Sequence, residues 1–188
     1  MKKRSILLLC TISTIIFLTY TSFAQDAKPP AAKEVKVKWY SFEEAYKLNK
    51  KKQKKMMIDV YTEWCGWCKK MDAETFANPV IAAYMNDHYY CVKLDAERKD
   101  TVEIDGVKFV NPNPSVKRST HQLANEMLRG QMSYPSYAFL NEKGQIITIV
   151  PGYQQAPPFE CILNYFGEDA YLATKWEDYQ TTFKGQLK

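Results

Sequence analysis

Histidine is nearly absent, with two in 188 residues, and that excludes a His-rich metal site. No internal repeat or glycine period runs through the chain, which excludes a collagen-like assembly. Beyond residue 24 no apolar run is long enough to cross a bilayer, which excludes a polytopic membrane protein. Charge of one sign is not in large excess: 26 Lys plus Arg stand against 21 Asp plus Glu, a net charge of +5. With 46% apolar and 25% charged residues, the balance is that of a folded globular chain, not a disordered one. What remains is one domain of moderate size, long enough to bury a sizeable core.

The first 24 residues have the layout of a secretory signal. Lys2, Lys3 and Arg4 give a basic start, Ile6 to Leu18 is mostly apolar, and Ser22-Phe23-Ala24 puts small residues at a cleavage site. The expectation is a signal peptide removed after Ala24; the alternative is retention as an N-terminal anchor. Cys10 is no lipid-attachment site, because bulky Leu9 precedes it. Loss of this segment takes away three basic residues and no acid, lowering the net charge to +2. The exported chain is then nearly neutral, with no sign of nucleic-acid binding. It keeps Cys65, Cys68, Cys91 and Cys161 in a periplasmic or secreted setting where disulfides persist. Four cysteines are too few to staple a core-less miniature fold, so a core must hold the protein and the cysteines are free for chemistry.

Residues 25–38 predict a flexible tether, since Pro29-Pro30 and the lysines after them present no buried face. Ser41 to Glu44 has the form of a capping box, opening a helix to about Lys52 with Phe42, Ala45, Tyr46 and Leu48 inward. Five lysines between Lys50 and Lys55 read as a solvated helix end, in preference to a docking patch for an anionic partner. Met56 to Tyr61 reads as a buried strand, interrupted only by Asp59. Further helices are expected over Lys69–Phe76 and from Pro79 to about Asn86, the second capped by Asn78, and a strand over Tyr89–Asp95. Residues 96–118 look like an insertion, with a hairpin turning at Asp105-Gly106. A helix capped by Ser119 should run to Leu128, followed by strands Ser136–Leu140 and Gln145–Val150. A last amphipathic helix is expected from Pro158 to about Lys175, with Phe159, Ile162, Leu163, Phe166 and Leu172 on the core, and residues 176–188 as an extension, helix or tail. The order predicts an α/β domain over 39–175, a mixed sheet flanked by helices on both faces. Cys91 and Cys161 read as packed core thiols and His121 as a surface residue.

Cys65-Gly66-Trp67-Cys68 is the motif that carries chemistry. Taken alone, such a pair is a redox dithiol, half of a zinc site or two buried cysteines. Here it sits where a strand hands over to a helix. Cys65 at the helix N-terminus faces the positive dipole end and unpaired N–H groups, which stabilise a thiolate. Its sulfur is expected to be exposed, with Cys68 one turn deeper and close enough to close a disulfide. Zinc needs two more ligands, and the chain has no second Cys-x-x-Cys and no His-x-x-x-His. The reading is therefore redox, with no metal. Asp59 in a buried strand needs a partner or a task.

The stretch Met57 to Lys69, with Asp59 six residues before Cys65, resembles the active-site strand and helix of the thioredoxin superfamily. Tyr134-Pro135 before a strand, Gly144 and Gly152 fit the same pattern, over about Trp39 to Lys175. The likeness is to exported thioredoxin-like proteins with a Cys-Gly-Trp-Cys centre. It implies a thioredoxin-like fold and an exported thiol–disulfide oxidoreductase without a cofactor, reducing disulfide-bonded protein substrates and fed by a membrane electron donor. It implies that Cys65 attacks a substrate disulfide, that Cys68 resolves the mixed disulfide and that Asp59 handles the Cys68 proton. Trp64, Gly66, Trp67, Tyr134 and a cis Pro135 would line the substrate groove, Trp64 covering the Cys65 sulfur, and Lys93 would pair with Asp59. Trp67, Tyr134 and Ala73 depart from the commonest family residues; Ala73 stands where many members have a helix-kinking proline. Two other readings are a redox-inert interaction module on the same fold and a disulfide isomerase.

Overall fold

A computed structural model describes residues 35–188. The expected signal peptide and residues 25–34 of the expected tether lie outside the described residues. Five strands form one sheet in the order β1-β3-β2-β6-β7: β1 (Trp39–Tyr40), β2 (Lys55–Tyr61), β3 (Tyr89–Asp95), β6 (Ser136–Leu140) and β7 (Ile146–Pro151). β1, β3 and β2 are parallel, whereas β6 and β7 run antiparallel. Strands β4 (Val102–Ile104) and β5 (Val107–Phe109) make the separate hairpin of the insertion. The helices are α1 (Phe42–Lys51), α2 (Gly66–Met71), α3 (Pro79–His88), α4 (Gln122–Met127), α5 (Ala156–Gly167) and α6 (Trp176–Thr182).

The period of two along each strand sorts the core into two layers. Met57, Cys91, Tyr137 and Phe139 meet Ile81 and Met85 of α3 and Phe159 and Leu163 of α5 on one face. Ile58, Val60, Val92 and Ala138 meet Phe42 and Ala45 of α1 and Leu123 and Ala124 of α4 on the other. Each fully buried Leu, Ile or Phe contributes about 1.5–3 kcal/mol, so both layers hold the sheet. The fold is the expected thioredoxin-like α/β arrangement.

Several boundaries differ from the sequence reading. The packed chain begins ahead of Trp39: Val37 is in the core, and Asn86 bonds the backbone of Lys36 and Lys38. Trp39–Tyr40 then adds an edge strand too short to show a period. The lysine run is not one solvated end. Lys54 turns its ammonium onto the carbonyl of Asn86, and Lys55 is buried between Glu142 and Asp169.

α4 starts at Gln122 with His121 as its cap, because the Ser119 hydroxyl is already donated to Asn111. His121 is buried rather than on the surface. Its Nδ1 accepts from the Leu123 N–H and its Nε2 donates to the Asp100 carbonyl. α5 stops at Gly167, where a Cβ would sit 2.5 Å from the Tyr84 hydroxyl. Asp169 then turns the chain at φ +59, its carboxylate held by Lys55. Leu172, expected on the core, is 73% exposed. α6 packs Trp176 and Tyr179 on the α5 side of the core.

Candidate active site

β2 delivers the chain to the reactive pair. The Cys65 N–H closes a turn onto the Thr62 carbonyl, and Cys65 caps α2, its Sγ accepting the Cys68 N–H at 3.0 Å. Cys65 and Cys68 are joined as a disulfide. The helix N-terminus therefore aims its free donors at the Cys65 sulfur, where they stabilise the anion released on reduction. Cys65 is 5% exposed and Cys68 3%, so the first sulfur is less open than the sequence suggested. The open surface belongs to the two tryptophans, Trp64 at 50% and Trp67 at 57%. A Cβ at Gly66 would meet nothing within 4 Å, so this residue faces open space.

α2 does not run on as one α-helix. Asp72 to Phe76 is π-helical, and Ala73 lies inside it. A π segment bends a helix as a proline would, which accounts for a helix without the family's proline here. It also brings Asp72 to Lys93. The ammonium of Lys93 donates to Asp59 Oδ2 at 2.5 Å and to Asp72 Oδ1, and lies about 5 Å from the ring centres of Trp39, Tyr61 and Phe76. A cleft of about 480 Å³, lined in part by Trp39, Asp72, Phe76 and Lys93, opens on that ammonium.

Asp59 is 1% exposed, opposite Lys93 on one neighbouring strand and Tyr137 on the other. Burial pushes its carboxyl up to about 6; Lys93 pulls it down, and Asp72 adds to the rise. Burial alone would lower Lys93, but the two carboxylates hold it above its ordinary range. Asp59 Oδ1, the Tyr137 hydroxyl and the Thr62 hydroxyl are buried without a partner among the described residues. A carboxyl that titrates near neutrality, with one oxygen unspent, is suited to exchange a proton.

The Tyr134–Pro135 bond is cis, as expected. Tyr134 packs edge-on against Trp64, with ring centres 6.0 Å apart, which places this loop beside the residue before Cys65. The contacts of Trp64 run to the insertion as well: its Nε1 donates to Glu97, and Arg118 lies over its ring. On the other side Trp67 packs on Tyr153, and Lys70 lies over both rings. Cys91 and Cys161 are free and buried, and burial pushes Cys91 up to about 12, so neither is a ready nucleophile.

Sequence reasoning named Cys65, Cys68, Asp59, Lys93 and the Tyr134-Pro135 loop. It missed Asp72, Tyr137, Glu97 and Arg118. The spacing of Asp72, four residues after Cys68, was a usable signal. Tyr137 lies two residues past Pro135, in the strand that the cis-proline loop leads into. Nothing in the sequence pointed to Glu97 or Arg118. Among the described residues no group of three His, Cys, Asp or Glu side chains is gathered for a metal, and no helix is long and apolar enough to cross a membrane.

Residues 42–167 match the family described as thioredoxin-like domain. Mouse spermatogenesis-associated protein 20 is 32% identical over 80 residues, 42% of this chain and 10% of that protein. The thiol:disulfide interchange protein DsbD of Pasteurella multocida is 24% identical over 147 residues, 74% of this chain and 22% of its own. The chain thus spans between a tenth and a quarter of these relatives. A DsbH oxidoreductase structure superposes with a TM-score of 0.53 at 17% identity, covering 77% of this chain and 92% of that one. A thioredoxin from Thermus thermophilus gives 0.50 at 16% identity, covering 68% and 85%. These two likenesses concern the fold.

Proposed function

This chain belongs to the thioredoxin-like domain family, and from that premise we propose that it is an exported thiol–disulfide oxidoreductase working as a reductase of protein disulfides. The observation that carries the reading is the Cys65–Cys68 disulfide at the mouth of α2, just past a strand whose Asp59 carboxyl burial pushes up to about 6. The similarity to DsbD, a protein named for thiol:disulfide interchange, supports it.

The cycle starts from the reduced dithiol. The Cys65 thiolate attacks one sulfur of a substrate disulfide; that S–S bond breaks, one substrate thiolate leaves and takes a proton, and a mixed disulfide forms. Asp59 accepts the Cys68 proton, and the Cys68 thiolate attacks Cys65 Sγ. The mixed disulfide breaks, the second substrate thiol departs, and the Cys65–Cys68 disulfide closes. Two electrons have then passed to the substrate. A dithiol donor at the membrane returns them in the reverse exchange. Trp64, Trp67 and Tyr134 form the rim, Gly66 leaves room above the disulfide, and the backbone beside Pro135 pairs with the extended substrate. Export to the periplasm or beyond accords with a stable disulfide.

Insulin reduction with dithiothreitol tests this reading. The expected result is turnover by the parent and none by Cys65→Ser. An inactive parent, or an active Cys65→Ser protein, refutes it. Partner capture by an inactive parent and by a Cys65→Ser, Cys68→Ser protein alike points to the redox-inert module instead.

A further inference from the structure

The large exposed apolar residues of the described chain are not scattered. Trp64 and Trp67 flank the disulfide, while Val107, Val110 and Val116 lie in the insertion, leaving only Val35 and Leu172 elsewhere. Besides the backbone bond from Ala96 to Tyr61, the insertion is joined to the residues around the disulfide through Trp64. Its indole N–H is held by Glu97 at 2.7 Å, where the insertion begins. Its face is covered by the Arg118 guanidinium at 4.7 Å, where the insertion ends. Its edge meets Tyr134 of the cis-proline loop.

Arg118 is the unusual member. It is exposed and adopts φ +62, a left-handed conformation that a residue with a Cβ disfavours. That conformation sets the guanidinium over the indole. No carboxylate among the described residues pairs with it, so its fork of donors is unspent. Stacking on an aromatic face leaves the guanidinium edge free to grip a carboxylate with two parallel bonds. Lys117 beside it and Lys69 on α2 are also exposed. The opposing acids are Glu97, which is spent on Trp64, Asp95, which accepts the Glu97 N–H, and Glu63.

We propose that Arg118 is a specificity residue: it selects protein disulfides whose reactive cysteine is flanked by an acidic side chain, which docks on the guanidinium while the apolar residues of the same segment lie on Trp64 and Tyr134. This rests on the oxidoreductase reading and names its substrate class. The insertion then serves as a wall of the groove.

The test uses the full chain and matched peptide disulfides with Asp or Lys beside the reactive cysteine. Each kcat/KM is divided by the same protein's value for the neutral 2-hydroxyethyl disulfide. The parent is expected to prefer the Asp peptide by about fivefold at low salt, as for one exposed ion pair, and to lose most of that at about 0.5 M salt. Arg118→Gln should bring the ratio near one, and Arg118→Glu should invert it. Circular dichroism and the urea unfolding midpoint report whether each variant keeps its fold. Equal rates for the two peptides in the parent, or an unchanged ratio in Arg118→Glu, overturn the inference while the oxidoreductase reading stands. No turnover of any disulfide by the parent overturns both.

Discussion

Replacing Asp59 by Asn should make the protein more stable at neutral pH, although it removes the group proposed to move a proton. The carboxyl sits at about 6 in the fold against 3.8 in the unfolded chain, chiefly because burial disfavours its charge. The folded state therefore binds the proton more tightly than the unfolded state. Stability carried by this group is present below the unfolded value and is lost as pH rises through about 6. A displacement of about two units corresponds to about 3 kcal/mol of strain at pH 8. Asn carries no charge to desolvate, but its amide inherits the unpartnered site of Oδ1, at about 1–3 kcal/mol. Lys93 keeps Asp72 as a partner. The net expectation is a gain of about 1 kcal/mol at pH 8, or a rise in Tm of about 2–4 °C. The sharper expectation concerns pH: relative to the parent, the stability of the Asp59→Asn protein should fall by about 2 kcal/mol between pH 8 and pH 4, turning an advantage of about 1 kcal/mol into a deficit of about the same size. Urea unfolding of both proteins in the disulfide form, without reductant, measures this. A difference between the two proteins that is flat with pH, or that favours Asp59→Asn more at pH 4 than at pH 8, refutes the assignment of a strained buried carboxylate.

Two further outcomes follow from neighbouring contacts. Lys93→Met removes the cation that pulls Asp59 down, so the Asp59 titration should move further above 6, and the acid limb of the pH–rate profile should move alkaline by about one unit; an unmoved limb refutes the coupling. Glu160→Gln weakens the buried clamp on the backbone N–H groups of Gln186 and Leu187. It should cost about 1–2 kcal/mol and speed carboxypeptidase trimming of the last residues without changing the rate of disulfide reduction.

The elements read best in the sequence were those whose signal is local. The capping box at Ser41 forms with both of its bonds, Asn78-Pro79 starts α3, and Asp105-Gly106 turns the hairpin. The redox pair and its aspartate were legible for the same reason, since strand, turn and helix follow one another without a gap. What stayed hidden depends on partners distant in the chain. His121 displaces Ser119 as a cap only because Asn111 folds back to take the serine hydroxyl. Lys55 leaves a basic run for the interior because Glu142 and Asp169 arrive from elements far along the chain. The π-helical turn after α2 has no residue signature, yet it brings Asp72 to Lys93. Arg118 was invisible because its meaning lies in its contact with Trp64, not in the composition of its loop.

The local rules that this chain breaks are not spread evenly, and their placement bears on function. Four buried side-chain polar atoms lack a partner among the described residues. Three of them, Asp59 Oδ1, the Thr62 hydroxyl and the Tyr137 hydroxyl, belong to β2, to the residue just past its end on the way to Cys65, or to the strand residue opposite Asp59. At the start of the same strand, Lys55 is equally buried and fully met by two carboxylates. One strand thus carries a fully met ammonium at one end and, towards the other, a carboxylate paired with Lys93 through one oxygen and unmet at the second. Each unmet group costs about 1–3 kcal/mol, so a fold under selection for stability alone would have filled the sites near Cys65 first. Unspent donors and acceptors beside a disulfide are what proton transfer requires when the bond opens and two thiols need protons. The strain is therefore best understood as capacity held for the reduced state, in which Cys68 gains the hydrogen that the proposed cycle has Asp59 exchange.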